Sequence, residues 1–365
     1  LVKLFRHYGD KTEVTEFYLQ TLLKALGGEY QSIYSVDEIC EGDLVLTSSV
    51  LDARRVFTKA MRGTRVINWY QGIYPEEVAT KGDDFLKMKF ERYLRNICVS
   101  FFNTPIKIIM MLLSKLDIHI KYLSYVEKQV LNKCVLNVFV SESMRKHFAV
   151  KYGYNKDNFF IMPCFNTVIN TKSFEREGKY KKPSFCYIGS MDKWQCFELT
   201  VSVFKEIEKI SNTAFLKVLT PDIKEGKRIL EEYSVKNYEI KHVSKENVGE
   251  ELSGIKYGFV LREDKLINNV ATPTKLSDYL SNGVVPIISD SVSDYYNYFK
   301  NQRYFIFHEN GMSPIDLAKK ILDFDDKINM SAIKEDYNNI FDNYFNMDYY
   351  IGKFTNSWMK RINFH

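Results

Sequence analysis

KYGFVLREDKLINNVATPTKLSDYLSNGVVPIIS, from Lys256 to Ser289, reads as a strand, a basic loop, a capped helix and a second strand. Thr272 suits an N-cap, Pro273 the first helical position, and Gly283 the left-handed residue that closes a helix ahead of the apolar run Val284 to Ile288. The helix is expected over Pro273–Asn282. A helix start that follows a strand in this way offers backbone N–H groups at the carboxyl end of a sheet, where Arg262 and Lys275 add full positive charges. Those groups suit an anion of the size of a diphosphate.

Outward from this unit, strand-like runs alternate with amphipathic segments in the rhythm of βαβ units, which predicts parallel sheets covered on both faces. In the second half the strands are expected at Phe185–Gly189, Ala214–Leu219, Tyr238–Val243, Tyr257–Leu261, Val284–Ile288 and Tyr304–Phe307, with helices such as Phe197–Ile210, Ile223–Tyr233 and Lys245–Leu252 between them. The first half repeats the rhythm at Val2–Phe5, Glu29–Tyr34, Leu44–Thr47, Arg65–Trp69, Leu136–Val140 and Phe159–Met162, with helices over Val14–Leu26, Leu51–Met61 and Glu142–Tyr152. The polar stretch Asn166–Lys182 reads as an interdomain connection.

A long helical insertion, about Asp83 to Lys133, interrupts the first half. From Lys87 onward it carries Lys89, Arg92, Arg95, Lys107, Lys115, Lys121, Lys128 and Lys133, interleaved with Phe90, Tyr93, Phe101, Phe102 and the apolar cluster Ile108–Leu113. A helix of this kind fits either an anionic bilayer surface or an ordinary core helix with a solvated basic face.

The 365 residues, 45% hydrophobic and 27% charged, describe a soluble chain with room for two cores. A net charge of +5 from 51 basic and 46 acidic residues is too mixed for a nucleic-acid footprint, so no nucleic-acid partner is expected. Cys40, Cys98, Cys134, Cys164, Cys186 and Cys196 show neither CxxC pairing nor metal-ligand spacing and read as reduced core residues of a cytoplasmic protein. The run Ile108–Leu113 falls far short of the roughly 20 residues that cross a bilayer, so membrane contact, if present, is peripheral and at the inner face.

Four segments resemble landmarks of the GT-B glycosyltransferases of family 4, in that family's order. They are VFVSESMRKHFAVKYG with IMPC (Val138–Gly153 and Ile161–Cys164), FCYIGSMDKWQ (Phe185–Gln195), HVSKENVGEELSGIKYGFVLRE (His242–Glu263) and TPTKLSDYLSNGVVPIIS (Thr272–Ser289). The resemblance implies an α/β chain of two Rossmann-like domains facing across a cleft. Residues 1–168 form the acceptor-side domain, with a crossover helix at about 346–365, and residues 169–345 bind the nucleotide-sugar donor.

It also implies roles. Arg262 and Lys275 stabilise the leaving diphosphate, and Gly189, Ser190 and Thr274 bring backbone or hydroxyl groups to it. Asp278 takes the place of the second of the family's paired glutamates and holds the ribose hydroxyls, Val243 lies where the family holds the base, and Asn268 or Asn269 replaces the first glutamate, which falls on Val270. On the acceptor side Arg6, Gly9, Gln71 and Glu76 line the strand ends, and His7 or Glu77 orients the acceptor or stabilises an oxocarbenium-like transition state. Such enzymes retain anomeric configuration, need no protein nucleophile and require no metal or other cofactor; Asp323–Asp325, a short DxD pattern, lies in a late helical region.

The expectation is therefore a retaining glycosyltransferase that moves a sugar from a nucleotide diphosphate to a hydroxyl of a glycan or lipid-linked acceptor in cell-surface polysaccharide assembly. Two rivals share the fold: a nucleotide-sugar epimerase and a non-catalytic glycan-binding subunit.

Overall fold

The computed structural model describes residues 1–7, 13–59, 63–80 and 118–362. The chain divides into two compact units, Leu1–Met162 with Ile351–His365, and Pro163–Tyr350. In the first unit, strands β1 (Val2–Phe5), β2 (Tyr30–Ile33), β3 (Leu44–Thr47), β4 (Arg65–Tyr70), β5 (Leu136–Phe139) and β6 (Phe159–Ile161) form a parallel sheet in the order β2-β1-β3-β4-β5-β6. The second contains β7 (Ser184–Ile188), β8 (Phe215–Leu219), β9 (Tyr238–Lys241), β10 (Tyr257–Val260), β11 (Val285–Ser289) and β12 (Ile306–His308), also parallel, in the order β12-β11-β10-β7-β8-β9. All twelve strands anticipated from the apolar runs are present, with ends moved by a few residues.

Central strands such as β3, β10 and β11 are buried along their whole length, as sheets covered by helices on both faces require. The strand order of the second sheet reverses between β7 and β10, which sit side by side although two βα units separate them in the chain. Ligands of open α/β sheets bind beyond the carboxyl ends of the strands at such a reversal. The first sheet has its corresponding switch between β1 and β3.

The helix of the opening stretch runs over Lys275–Ser281, shorter at its start than expected. Thr272 is not its cap: the Thr272 hydroxyl accepts the Cys164 N–H at 3.1 Å, and the N-cap position falls to Thr274, which makes no side-chain cap bond. At the other end Gly283 does close the helix, at φ 69°, with its N–H donated to Leu280 and that of Val284 to Tyr279. Leu276 and Leu280 are fully buried toward the sheet. Between them Tyr279 donates its hydroxyl to the carbonyls of Cys186 (3.2 Å) in β7 and Phe259 (3.4 Å) in β10, and its ring lies over Gly258. That one side chain pins the helix to the two strands at the reversal.

The polar stretch Asn166–Lys182 begins just after the division between the units and is anchored in the second by two side chains. Phe174 and Lys179 are buried in the second unit, and Lys179 donates to the carbonyls of Ser173 (3.2 Å), Leu252 (3.4 Å) and Asn282 near the end of the Lys275–Ser281 helix. Burial, with Arg176 nearby, pushes the Lys179 ammonium down to about 7. In the first unit the C-terminal helix Met347–Ile362 places Phe354 edge-on to Phe160 and bonds Thr355 to the Ala25 carbonyl. The basic segment from Lys87 to Lys115 lies outside the described residues; its continuation is the helix Ile118–Lys133.

A Cβ at position 258 would stand 2.6 Å from the Tyr279 ring. Gly258→Ala is expected to destabilise the protein by about 1–3 kcal/mol through this overpacking. Urea denaturation checks it, and an unchanged midpoint would show that Tyr279 is not the pin.

Candidate active site in the second unit

β7 ends at Ile188 and the chain turns at Gly189, which adopts φ 145°, a conformation L side chains rarely take. A Cβ there would meet Lys275 Nζ at 2.9 Å, so glycine is needed both for the turn and for the space. The Ser190 carbonyl accepts the Tyr187 hydroxyl at 2.7 Å, and the Ser190 hydroxyl donates to Asp192 at 2.7 Å. A short 3-10 turn, Lys193–Gln195, then leads through Cys196 at φ 52° into the helix Phe197–Ile210.

Arg262 stands just beyond β10, next to this turn. Its guanidinium donates to the Gln195 carbonyl (2.9 Å), the Gln195 side-chain oxygen (2.5 Å) and the Leu261 carbonyl (2.9 Å). Lys275 reaches the same Gln195 Oε1 at 3.0 Å and lies over the Tyr187 ring, 4.7 Å from its centroid. Arg262 is 4% and Lys275 7% exposed, so neither is a solvated surface charge. Nor does Arg262 pair with Glu263 or Asp264: among the described residues, the acceptors around both cations are neutral oxygens. Two buried basic side chains thus share one amide oxygen at the β7/β10 reversal.

That arrangement is electrostatically unsatisfied. Burial, followed by the repulsion of Arg262, holds the Lys275 ammonium well below the usual lysine range, and burial draws Arg262 down as well. An anion arriving between them removes both penalties. The helix start contributes less than its sequence suggests, because Leu276 and Asp278 already donate their N–H groups to Pro273 and Thr274. The side chains carry the positive field.

Asp278 emerges on the same helix and accepts Lys245 Nζ at 2.5 Å, not Lys275. Burial raises its carboxyl above the usual aspartate range against the pull of Lys245. Lys245 begins the turn just after Val243 and Ser244, so its bond ties Asp278 to the segment that follows β9. Val243 itself is half-buried against the core. Asn268 donates to the Glu263 carbonyl (3.0 Å), and Asn269 to Asp264 (2.9 Å) and the Ser291 carbonyl (3.0 Å), bonds that shape their own loop. Val270 is buried, and Asp325 of the DxD pattern accepts Lys256 and the Tyr257 hydroxyl at the start of β10, the opposite end from Arg262.

In the first unit Arg6 pairs with Glu16, and the His7 N–H donates to Asp52 at 3.1 Å. Gln71 accepts from Thr15 at 3.3 Å, and the Glu77 carboxylate folds over Gly72. Glu76 is tied to Lys151 (2.6 Å) and His147 (3.3 Å) of the Glu142–Tyr152 helix. Although burial opposes it, hydrogen bonds from His147 and Lys151 hold Glu76 below the usual glutamate range. Beside it the fully buried Glu127 accepts the Tyr152 hydroxyl at 2.7 Å, and burial pushes its carboxyl up to about 8. Gly9 lies outside the described residues.

Sequence reasoning missed Gln195, Tyr187 and Lys245. The signal for Gln195 was its place at the end of the FCYIGSMDKWQ segment, just after the glycine turn. Among the described residues no group of acidic, histidine and cysteine side chains could hold a metal ion, and Cys40, Cys134, Cys164, Cys186 and Cys196 are free thiols.

Two Rossmann-like units of this kind make up the GT-B glycosyltransferase fold, and the chain has that fold. It matches sucrose-phosphate synthase from Thermosynechococcus elongatus with a TM-score of 0.68 at 10% identity, over 100% of this chain and 99% of that one. It matches WaaG, a glycosyltransferase involved in lipopolysaccharide biosynthesis, with a TM-score of 0.61 at 10% identity, over 97% and 98%. S. aureus TarM, in complex with fondaparinux, alpha-GlcNAc-glycerol and UDP, matches with a TM-score of 0.57 at 12% identity over 88% of this chain. The chain spans about half the length of the TarM structures, 55% and 54%. No protein-family model and no curated protein matches the chain in sequence.

Because the folded state disfavours the charged Lys275, it holds fewer protons than the unfolded chain between the depressed value and the ordinary 10.5. Lys275→Met is expected to stabilise the protein by about 0.5–2 kcal/mol, as removal of a functional buried charge commonly does. The gain is greatest below the depressed value and shrinks as the pH climbs from there toward 10.5, where the unfolded lysine also loses its charge. Urea titrations at several pH values check it, and a variant less stable than wild type throughout would overturn this account of Lys275.

Proposed function

We propose that the chain is a retaining glycosyltransferase. It moves a sugar from a nucleoside diphosphate donor to a hydroxyl of a glycan or lipid-linked acceptor in cell-surface polysaccharide assembly. The observation that carries this is the pair Arg262 and Lys275, buried at the sheet reversal with neutral oxygens as their hydrogen-bond acceptors among the described residues. Breaking the bond from an anomeric carbon to a diphosphate leaves charge on the leaving oxygens, and a preorganised pair of cations stabilises it as it develops. Two protein cations supply the charge that a metal ion supplies elsewhere, so turnover in this scheme needs no metal. Asp278, with Lys245, lies where a ribose attached to that diphosphate would extend, and His7 and Glu77 are the candidates for the acceptor side. The fold supports the class, and WaaG is a match described as involved in lipopolysaccharide biosynthesis.

The free thiols support a reducing compartment, the cytoplasm. No helix among the described residues is long and apolar enough to cross a membrane. The helix Ile118–Lys133 turns Lys121, Tyr122, Tyr125 and Lys128 to one exposed face, which supports peripheral contact with an anionic inner leaflet.

Thermal-shift screening of nucleoside diphosphates and their sugars should find at least one that stabilises the protein. Lys275→Ala should weaken it by about ten- to a hundredfold, the scale of a lost charged hydrogen bond. With donor and acceptor, the product should keep the donor's anomeric configuration by NMR, and EDTA should leave turnover unchanged; epimerised donor without acceptor, or an inverted product, overturns this scheme. Flotation with anionic vesicles at low salt tests the bilayer contact, which is abandoned if the protein stays at the bottom.

A further inference from the structure

Gln195 is the only residue among those described that is bonded to both Arg262 and Lys275. Its backbone is fixed twice, by the Gln195 N–H to the Asp192 carbonyl at 2.8 Å and by the Gln195 carbonyl to Arg262 at 2.9 Å. The side chain is half-buried on a turn that a rotation about its own bonds does not disturb. Its single oxygen lies 2.5 Å from Arg262 Nη2 and 3.0 Å from Lys275 Nζ, the distances at which a phosphate oxygen would sit.

Resting on the donor-site assignment above, we propose that Gln195 is a positioning residue whose side-chain oxygen stands in for a phosphate oxygen. It holds the two cations converged in the unliganded protein and swings aside when a diphosphate arrives. The residue type matters. A neutral amide satisfies two buried donors without cancelling their charge, and a phosphate displaces it because charge-assisted hydrogen bonds are roughly twice as strong as neutral ones. A carboxylate there would pair with both cations and hold the site shut. An apolar side chain would leave two buried donors without an acceptor.

Gln195→Glu and Gln195→Met separate this role from simple support of the turn. UDP, ADP, GDP, CDP and dTDP serve as probes, with inorganic pyrophosphate as competitor. Gln195→Glu is expected to raise the melting temperature of the unliganded protein while weakening the nucleotide that wild type binds by at least about tenfold. Gln195→Met is expected to lower the unliganded melting temperature yet stay within about threefold of wild-type affinity, because the displaced group takes no part in the complex. A turn-supporting role moves both variants the same way. If Gln195→Glu binds like wild type, or Gln195→Met loses as much affinity as Gln195→Glu, the stand-in role is wrong and the donor site survives. The Gln195→Glu arm decides this even if Gln195→Met fails to fold. If wild type binds none of the nucleotides or pyrophosphate, the donor-site assignment itself fails and the stand-in role with it.

Discussion

Two positive side chains, Arg262 and Lys275, are buried against one another with a single amide oxygen between them, and the second unit is organised around tolerating that. Like charges in a low-dielectric setting repel, and desolvation penalises each separately. The Tyr187 ring beneath Lys275 and the carbonyls of Gln195 and Leu261 around Arg262 offset part of the cost. What remains is a standing preference for an anion, held in place before any ligand arrives.

Such a preference persists only if the scaffold does not relax it. Arg262 follows β10, Gln195 follows the turn after β7, and these strands are neighbours because the order of the sheet reverses there. Tyr279 bonds to both strands and fits over Gly258, which fixes the short helix bearing Lys275 and Asp278. Gly189 leaves the room through which Lys275 passes. Each contact constrains where the ammonium ends, so a loss of stability at the site is balanced by packing directly beneath it.

The first unit presents a different electrostatic pattern. Several of its charged groups at the strand and helix ends are paired: Arg6 with Glu16, and Glu76 with Lys151 and His147. Glu127 remains buried with a raised carboxyl and a tyrosine hydroxyl as its partner, a helix-packing device between Ile118–Lys133 and Glu142–Tyr152.

The alternation of apolar runs made all twelve strands legible, since a strand buried on both faces is written as a short continuous hydrophobic segment. Gly283 was legible as a helix end, and Gly189, Arg262 and Lys275 as a glycine turn and two cations at strand ends, because glycine turns and charges at strand ends have local causes. The misreading at Thr272 was non-local: it looked like a cap but accepts a bond from Cys164, far back in the chain. By itself the sequence determined the fold class, the strand order in time and the presence of cations near a glycine turn. Only the tertiary structure decided that the cations share Gln195 and that Asp278 belongs to Lys245, because a side chain's partner depends on which strands the sheet places side by side, and no spacing along the chain records that.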